Sequence, residues 1–364
     1  MPQIRAAVCT AFNEPLTIET LHLRDPGPDE IEVTLDAVSI CHSDIHFAEG
    51  AWGGALPAVY GHEAAGRVTA LGDGVTGLEP GTRVVVTLIK SCGTCRSCTT
   101  GRPALCEQTA DAPTKLTRAD GTEVAAAMHC GAFAERVVVH RSQVVALPAE
   151  LPPESVALLA CGVITGIGAV VNAGRLRPGE DVVVIGAGGV GLNAIQGARI
   201  AGARRIVAVD MNEAKLETAK AFGATHGVLA TDPKPWRRAL RALGRGADLV
   251  AVTVGNTKAY DDAPRYLGWG GRMVMVGMPE AGAKATYEPV IPALLGQHFI
   301  GSKMGDVVIS RDIPWMADLY AQGRLKLDEL ISGRWPLDRI NEAIDDTRRG
   351  GARRNVIVLN DPSG

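Results

Sequence analysis

A glycine-rich run follows a short apolar stretch near the middle of the 364-residue chain. The stretch Asp181–Ile185 has the length and β-branched composition of a buried strand, and residues 192–201 are helix-like. Between them stands Gly186-Ala187-Gly188-Gly189-Val190-Gly191, which fits the pattern G-x-G-x-x-G. Such runs are common on their own, but a strand before and a helix after are the context that a dinucleotide-binding unit requires.

Each glycine of this pattern has its own physical reason. Gly186 permits the tight turn at the end of the strand, and Gly188 lets backbone N–H groups approach a pyrophosphate. Gly191 allows the following helix to pack closely on the strand. The N-terminus of that helix adds partial positive charge, which favours bound phosphates. We therefore predict dinucleotide contacts from Gly186, Gly188, Gly189, Val190 and Gly191.

Asp210 follows the next strand-like run, residues 205–209, at about the 20-residue separation from the glycine motif that such units show. Its carboxylate can accept hydrogen bonds from the hydroxyls of an adenosine ribose and would repel a 2′-phosphate. The residue therefore favours NAD over NADP. A second interpretation stays open, in which Asp210 is the N-cap of the helix-like segment that begins near Asn212.

The pattern of the chain changes near residue 163. Residues 1–162 look β-rich, with strand-like runs between breaks that contain Gly and Pro. Beyond residue 163, short apolar strands alternate with helix-like segments, which predicts a parallel, doubly wound sheet and an α/β fold of two domains. Further elements are predicted as strands at 248–254, 272–276, 298–301 and 355–359, and as a helix at 312–322.

Four of the eight cysteines are crowded into one short segment. Cys92, Cys95, Cys98 and Cys106 follow the spacing C-x2-C-x2-C-x7-C. Four thiolates on one loop suit a closed tetrahedral zinc site, which would stiffen the loop and leave no position for a substrate. An iron–sulfur cluster or redox-active thiols are the alternatives, since the first three cysteines also match a ferredoxin spacing.

Composition excludes some function classes. The formal net charge is −3 and no basic patch is evident, which argues against a nucleic-acid or anionic membrane partner. No apolar run is long enough to span a bilayer, and no signal peptide is recognisable at the N-terminus. We therefore expect a cytoplasmic protein.

Four segments together resemble the zinc-containing branch of the medium-chain dehydrogenase/reductase family that contains the alcohol dehydrogenases. These are residues 41–46 (CHSDIH), residues 61–66 (GHEAAG), the cysteine loop and the glycine motif, in the family's order and with similar spacing. The resemblance implies a GroES-like, β-rich catalytic domain over 1–162 and 302–364. It also implies a Rossmann domain that binds NAD over 163–301.

The resemblance further implies a catalytic zinc held by Cys41, His62 and Cys161. Two thiolates and one neutral imidazole form a net-neutral site with one open position, where zinc acts as a Lewis acid on the substrate oxygen. Taken alone, Cys161 would be an ordinary member of a buried apolar segment. Polyol dehydrogenases of the family typically carry Glu at this position, so Cys161 argues against a sorbitol-type enzyme.

Neighbouring residues have supporting roles by the same resemblance. Ser43 would hydrogen-bond the substrate oxygen and take its proton, and His46 would pass that proton to solvent. Asp44 would orient His62, and Glu63 would lie behind the zinc and assist ligand exchange. Read without the resemblance, His46 would be an ordinary surface histidine.

The remaining site predictions concern the cofactor and the substrate pocket. Family positions that contact the cofactor correspond to His42, Thr165, Lys215, Val276, Gly277 and Arg354, where the adjacent Arg353 is an alternative for the last. Positions that approach the open zinc site correspond to Trp52, Leu88, Met128 and Met278. All four are apolar, so a hydrophobic or aromatic alcohol or aldehyde is the expected substrate.

The sequence therefore predicts an NAD-dependent zinc alcohol dehydrogenase with two zinc ions per chain. Relatives pair across residues 273–301, so a homodimer or homotetramer is expected; the intermediate length of the segment between Cys106 and Phe133 does not choose between them. The alternatives are a thiol-adduct (formaldehyde-type) dehydrogenase, a nucleotide-binding scaffold or sensor that has lost catalysis, and a metal-buffering thiol protein. The complete set Cys41, Ser43, His46, His62 and Cys161 argues against a retired site.

Overall fold

The structure is a computed structural model in which residues 1–108 and 114–359 are described. The chain divides into two compact units. Unit 1 consists of Met1–Cys161 and Val308–Gly364, and unit 2 consists of Gly162–Val307. The domain boundaries predicted from the sequence were residues 162 and 301. Unit 2 extends past the second of these because the turn at 304–306 packs on its own helices, where Asn172 Nδ2 donates to Gly305 O at 3.3 Å.

In the described residues of its N-terminal part, unit 1 has ten strands and three short α-helices. The strands are β1 (Gln3–Cys9), β2 (Thr17–Leu23), β3 (Glu30–Ser39), β4 (Ala58–Val59), β5 (Glu63–Leu71), β6 (Arg83–Thr87), β7 (Leu116–Thr117), β8 (Glu123–Ala126), β9 (Arg136–His140) and β10 (Val144–Ala146). The helices are α1 (His42–Ala48), α2 (Arg96–Thr99) and α3 (Pro153–Ala157).

Unit 2 has the alternation of strands and helices that the sequence predicts. Its helices are α4 (Gly162–Gly168), α5 (Gly189–Ile200), α6 (Glu213–Phe222), α7 (Pro235–Leu243), α8 (Thr257–Asp262) and α9 (Val290–Leu295). Its strands are β11 (Asp181–Ile185), β12 (Arg205–Asp210), β13 (His226–Leu229), β14 (Ala247–Val252), β15 (Leu267–Met275) and β16 (His298–Gly301). They form one sheet in the order β13-β12-β11-β14-β15-β16, and every pair is parallel. The predicted doubly wound parallel sheet is confirmed.

The chain then returns to unit 1 through α10 (Ile309–Ala321), β17 (Ile331–Pro336), α11 (Ile340–Arg348) and β18 (Arg354–Val358). Strands β1, β2, β7, β8 and β4 close into a barrel, and a second sheet runs β10-β6-β5-β3-β18-β17, with β9 also paired to β3. Strand β18 thus joins the two sequence-distant parts of unit 1, because it pairs antiparallel to β3 from Val356↔Ser39 to Val358↔Ala37.

Alternation of side chains explains where the core of unit 1 lies. Val33 and Leu35 on β3 are fully buried and belong to a hydrophobic cluster that also contains Val84 and Val86 of β6. Successive side chains of a strand point to opposite faces, so residues two apart share the core side. The pairing of the strands also determines which residues come together where the strands end. The candidate site is built from such residues.

Predicted element ends differ from the observed ones by a few residues. Helix α5 begins at Gly189, three residues before the predicted start, because Gly188 is its extended N-cap with φ −80° and ψ −168°. The second half of the glycine motif, residues 189–191, therefore belongs to the first helical turn. Strand β15 begins at Leu267, five residues before its predicted start, through a run that contains three glycines. Among the described residues, no single helix is long and apolar enough to cross a membrane.

Candidate metal centres and cofactor-binding loop

Four buried side chains of unit 1 converge on one point. The ligand atoms of Cys41, His62, Glu63 and Cys161 all lie within 4.8 Å of one another. Cys41 follows β3, His62 immediately precedes β5, Glu63 is the first residue of β5, and Cys161 follows a short turn after α3. The structure thus brings together the three residues predicted as zinc ligands, together with the carboxylate predicted behind them.

Strand pairing fixes this convergence. In the β3–β5 pair Ser39 stands opposite Glu63, and in the β5–β6 pair Glu63 stands opposite Thr87. Thr87 Oγ1 donates a hydrogen bond to the Ala160 carbonyl at 2.7 Å, which ties the end of β6 to the residue before Cys161. Three stretches far apart in sequence are therefore held at one end of the sheet.

Asp44 organises two of the ligands. Its Oδ1 lies 2.9 Å from His62 Nδ1 and accepts from Gly61 N–H at 2.9 Å, while its Oδ2 accepts from Cys41 N–H at 2.9 Å. A carboxylate on Nδ1 fixes the imidazole with Nε2 as the free ligand atom, which is the arrangement that metal-binding histidines use. The bond from Cys41 N–H also caps α1, since Cys41 is its N-cap and Asp44 occupies its third position.

The ionisable side chains of the cluster shift one another's pKa values. A hydrogen bond from Cys161 lowers the pKa of Cys41 well below its ordinary value, and the same contact raises the pKa of Cys161. Burial raises the pKa of Glu63 to about 7. The two thiols and the buried carboxyl are donors whose negative charge a divalent cation would offset. This donor set fits zinc.

Arg354 also belongs to this buried cluster. It is 4% exposed, and its Nη1 lies 3.3 Å from Glu63 Oε1 and donates to Ile40 O at 3.4 Å. Burial opposes its charge, but Glu63 and the two cysteines raise its pKa. Its Nη2 has no hydrogen-bond partner among the described residues. The alternative, Arg353, donates instead from Nε to Glu329 O at 2.8 Å.

The two predicted relay residues lie on α1. Ser43 Oγ is 3.7 Å from Cys41 Sγ. The side chain of His46 is 40% exposed, so it reaches solvent. Sequence reasoning missed Glu49, whose Oε2 lies 4.0 Å from His46 Nδ1 and whose Oε1 pairs with Arg348 Nε at 3.1 Å. The signal that could have found it is the i, i+3 spacing on a helix.

The cysteine loop forms a second cluster. The four sulfur atoms of residues 92, 95, 98 and 106 lie within 4.8 Å of one another, and the pairs Cys92–Cys98 and Cys95–Cys106 are 4.0 Å apart. Tetrahedral coordination with Zn–S bonds of 2.3 Å places sulfurs about 3.8 Å apart. A backbone N–H from Thr94 lowers the pKa of Cys92 to about 6, whereas burial raises the pKa of Cys98 to about 12.

The glycine motif of unit 2 has the expected division of roles. Gly186 has φ +98°, and a Cβ on Gly191 would lie 1.8 Å from Gly186 O, so both positions require glycine. A Cβ on Gly188 would meet nothing within 4 Å. The backbone at the start of α5 is therefore open to an anionic group, which fits the pyrophosphate of a dinucleotide.

Asp210 lies at the end of β12 beside this turn. Its Oδ2 accepts from Ala187 N–H at 2.8 Å and its Oδ1 accepts from Asn212 N–H at 3.0 Å. The N-cap of α6 is Asn212, whose Oδ1 accepts from Ala214 N–H at 2.9 Å. The capping interpretation of Asp210 is therefore wrong, because the residue two positions later serves that end of the helix.

The other predicted contacts are distributed over both units. In unit 2, Thr165 is buried with Oγ1 3.8 Å from Met304 Sδ, the Gly277 carbonyl accepts a hydrogen bond from the Tyr260 hydroxyl, and Lys215 is half-buried on α6. Val276 N–H donates to Val252 O at 3.0 Å. In unit 1, His42 is exposed at the start of α1.

The predicted substrate-pocket residues are likewise distributed. Trp52, Leu88 and Met128 are half-buried in unit 1, and the Trp52 ring lies 5.1 Å from the His46 ring. Met278 belongs to unit 2 and is 62% exposed.

Comparisons with known proteins agree over nearly the whole chain. Residues 27–149 match the family model "Alcohol dehydrogenase GroES-like domain" and residues 189–322 match "Zinc-binding dehydrogenase". The NDMA-dependent alcohol dehydrogenase of Amycolatopsis methanolica is 36% identical over 97% of this chain and 98% of the relative. The S-(hydroxymethyl)glutathione dehydrogenase of Paracoccus denitrificans is 32% identical over 97% and 99%. The crystal structure of benzyl alcohol dehydrogenase from Acinetobacter calcoaceticus superposes with a TM-score of 0.93 at 30% identity, covering 99% of this chain and all of the other.

Proposed function

This chain belongs to the zinc-containing alcohol dehydrogenases of the medium-chain dehydrogenase/reductase family, and on that premise we propose that it interconverts hydrophobic or aromatic alcohols and their carbonyl products, with NAD and two zinc ions per chain. Zinc-dependent alcohol oxidoreduction with a nicotinamide cofactor follows from the family. The choice of NAD, the two metal ions and the substrate class are the finer proposals.

The observation that carries the proposal is the buried cluster Cys41, His62, Glu63 and Cys161. Zinc bound there supplies a Lewis acid for the oxygen of an alcohol or carbonyl. Asp44 holds His62 in the ligating tautomer. Ser43, beside Cys41, takes the proton of the substrate hydroxyl, and half-exposed His46 delivers it to solvent.

NAD is favoured by Asp210. Its carboxylate is fixed at the end of β12 by two backbone N–H groups, so its charge stays beside the glycine turn. A 2′-phosphate at this place would meet like charge, whereas ribose hydroxyls can donate to it. When bound, NAD supplies the hydride acceptor.

The substrate class is supported by the predicted pocket and by a relative. Leu88 and Met128 are apolar and half-buried in the unit that holds the ligand cluster. The benzyl alcohol dehydrogenase that superposes on this chain acts, as its name states, on an aromatic alcohol. A small aromatic alcohol is therefore the first substrate to test.

The deciding experiment measures zinc per chain and NAD-coupled absorbance on aliphatic and aromatic alcohols. Wild type should hold about two zinc ions, and Cys41→Ala should lose one ion together with turnover. Cys9→Ala is the control, because Cys9 is equally buried but lies outside both clusters. A single zinc ion that Cys41→Ala leaves in place would contradict the proposal.

A thiol-adduct dehydrogenase is the second candidate, because the Paracoccus denitrificans relative is named for such a substrate. Formaldehyde oxidation that appears only when a small thiol is added would favour it. Repeating the assay with NDMA in place of added NAD tests whether the cofactor leaves at each turnover, since another relative carries NDMA dependence in its name.

A further inference from the structure

Gln143 is fully buried, and both the oxygen and the nitrogen of its side-chain amide form hydrogen bonds. It lies in the turn between β9 and β10. Its Nε2 donates to Thr87 O at 3.0 Å and to His129 O at 3.3 Å, and lies 3.5 Å from Cys130 Sγ. Its Oε1 accepts from His140 N–H at 3.2 Å. One side chain therefore joins the end of β6 to the turn at Ala127–His129.

Both joined segments adjoin predicted pocket residues. Thr87 precedes Leu88, and His129 follows Met128. Each segment is also tied to the ligand cluster: Thr87 Oγ1 donates to the carbonyl before Cys161, at 2.7 Å. On the other side, Ala132 N–H donates to Gly61 O at 2.9 Å, next to His62.

The turn at Ala127–His129 needs such support. Met128 and His129 have φ angles of 52° and 61°, so two consecutive residues with side chains adopt the left-handed region. That region is disfavoured for residues other than glycine and persists only where surrounding contacts hold it. The bond from Gln143 to the His129 carbonyl is such a contact.

We infer that Gln143 is a positioning residue for substrate specificity, which holds the Leu88 and Met128 walls of the pocket at a fixed separation. The inference rests on the proposed function, because the pocket it shapes is that of the alcohol site. The hydrogen bonds of the Gln143 side chain go to Thr87, His129 and His140, and not to the proposed metal ligands. Its role is to keep the pocket matched to a bulky alcohol, whereas a small alcohol that does not reach both walls is insensitive to it.

The test compares wild type with Gln143→Met, which keeps the length of the side chain and removes its hydrogen bonds. For benzyl alcohol we expect kcat/KM to fall about tenfold relative to ethanol, mainly through KM, with two zinc ions retained. Hydrogen exchange of the amides at 127–131 should become faster. Gln196→Met is the matched control, since Gln196 is an equally buried amide in unit 2.

A second variant keeps the inference falsifiable if Gln143→Met is merely unstable. Glycine adopts the left-handed region freely, so Gln143→Met should change specificity less when made in a His129→Gly background. Equal losses for both alcohols, or unchanged exchange at 127–131, would overturn the inference. A wild type without turnover would contradict the proposed function, while the exchange measurement would still decide whether Gln143 holds the turn.

Discussion

Asp44 positions two of the proposed zinc ligands, Cys41 and His62, through its hydrogen bonds. Each of its two oxygens serves a different part of the site, since Oδ1 accepts from Gly61 N–H and contacts His62, while Oδ2 accepts from Cys41 N–H. The side chain is 1% exposed, so water cannot replace a lost bond. The position therefore requires an acceptor at both oxygens, and asparagine supplies one only.

Asp44→Asn should weaken zinc binding at the cluster by about 10–100-fold, because the variant puts an NH2 group against a backbone N–H or against the imidazole. Leaving a buried donor unpaired should also lower the free energy of unfolding by about 1–3 kcal/mol. The measurement is zinc retained after dialysis against a graded chelator. The zinc of the cysteine loop serves as an internal reference, and equal retention of both ions would show that Asp44 does not support the ligands.

At the scale of elements, two glycines of the turn between β11 and α5 are expected to affect different properties, one the stability of unit 2 and the other its affinity for NAD. Gly191→Ala should destabilise unit 2, because the added Cβ would lie 1.8 Å from Gly186 O. Gly188→Ala should leave the melting temperature nearly unchanged, since nothing lies within 4 Å of its Cβ, yet weaken NAD binding. Calorimetry and NAD titration of both variants check this. Undiminished NAD affinity in Gly188→Ala would mean that the pyrophosphate does not approach this turn.

At the other end of β11, where the strand begins, a buried carboxylate forms ion pairs with two arginines. Asp181, fully buried at the start of β11, accepts from Arg204 Nε at 3.0 Å and from Arg245 Nε at 2.7 Å. Burial alone would raise the pKa of Asp181, but the two guanidinium groups outweigh it and lower the pKa below the ordinary value. The carboxylate therefore stabilises the fold above the unfolded-state pKa of about 3.9.

Asp181→Asn should lower the free energy of unfolding at neutral pH by about 1–2 kcal/mol, because both arginines are half-exposed and partly screened. The difference between wild type and variant should shrink as pH falls below about 4, since the folded wild type then loses the same charge. Urea unfolding at several pH values measures it. Asp345→Asn, at an exposed helical pair, is the control, and a pH-independent difference would rule out the ion pairs as its cause.

For the whole molecule, the fold could be predicted because each strand and helix is indicated by residues that are consecutive in the sequence. The strand Asp181–Ile185, the glycine turn and the next strand are consecutive, and the parallel sheet follows from their repetition. The ligands Cys41, His62 and Cys161 could be chosen only through the family resemblance, because strand register brings them together. Gln143 escaped prediction because its role depends on a tertiary contact with the turn at Ala127–His129. For Glu49 only the i, i+3 spacing from His46 was open to prediction, since its ion pair with Arg348 joins residues far apart in sequence.

Oligomer formation is the prediction that belongs to the whole molecule. Among the described residues, strand β16 is one of the two edges of the parallel sheet, and α9, which precedes it, exposes Val290 and Leu294 at 65% and 70%. An open edge next to exposed apolar side chains favours pairing with a second copy, which would remove both from water.

We expect wild type to sediment as a dimer or tetramer. Leu294→Asp should shift the protein towards monomer, with a dissociation constant raised at least about tenfold, because a charge would then be buried in the interface. Met211→Asp, at an equally exposed methionine after β12, should leave the assembly unchanged. A wild type that sediments as a monomer, or a Leu294→Asp variant as large as wild type, would place the interface elsewhere or remove it.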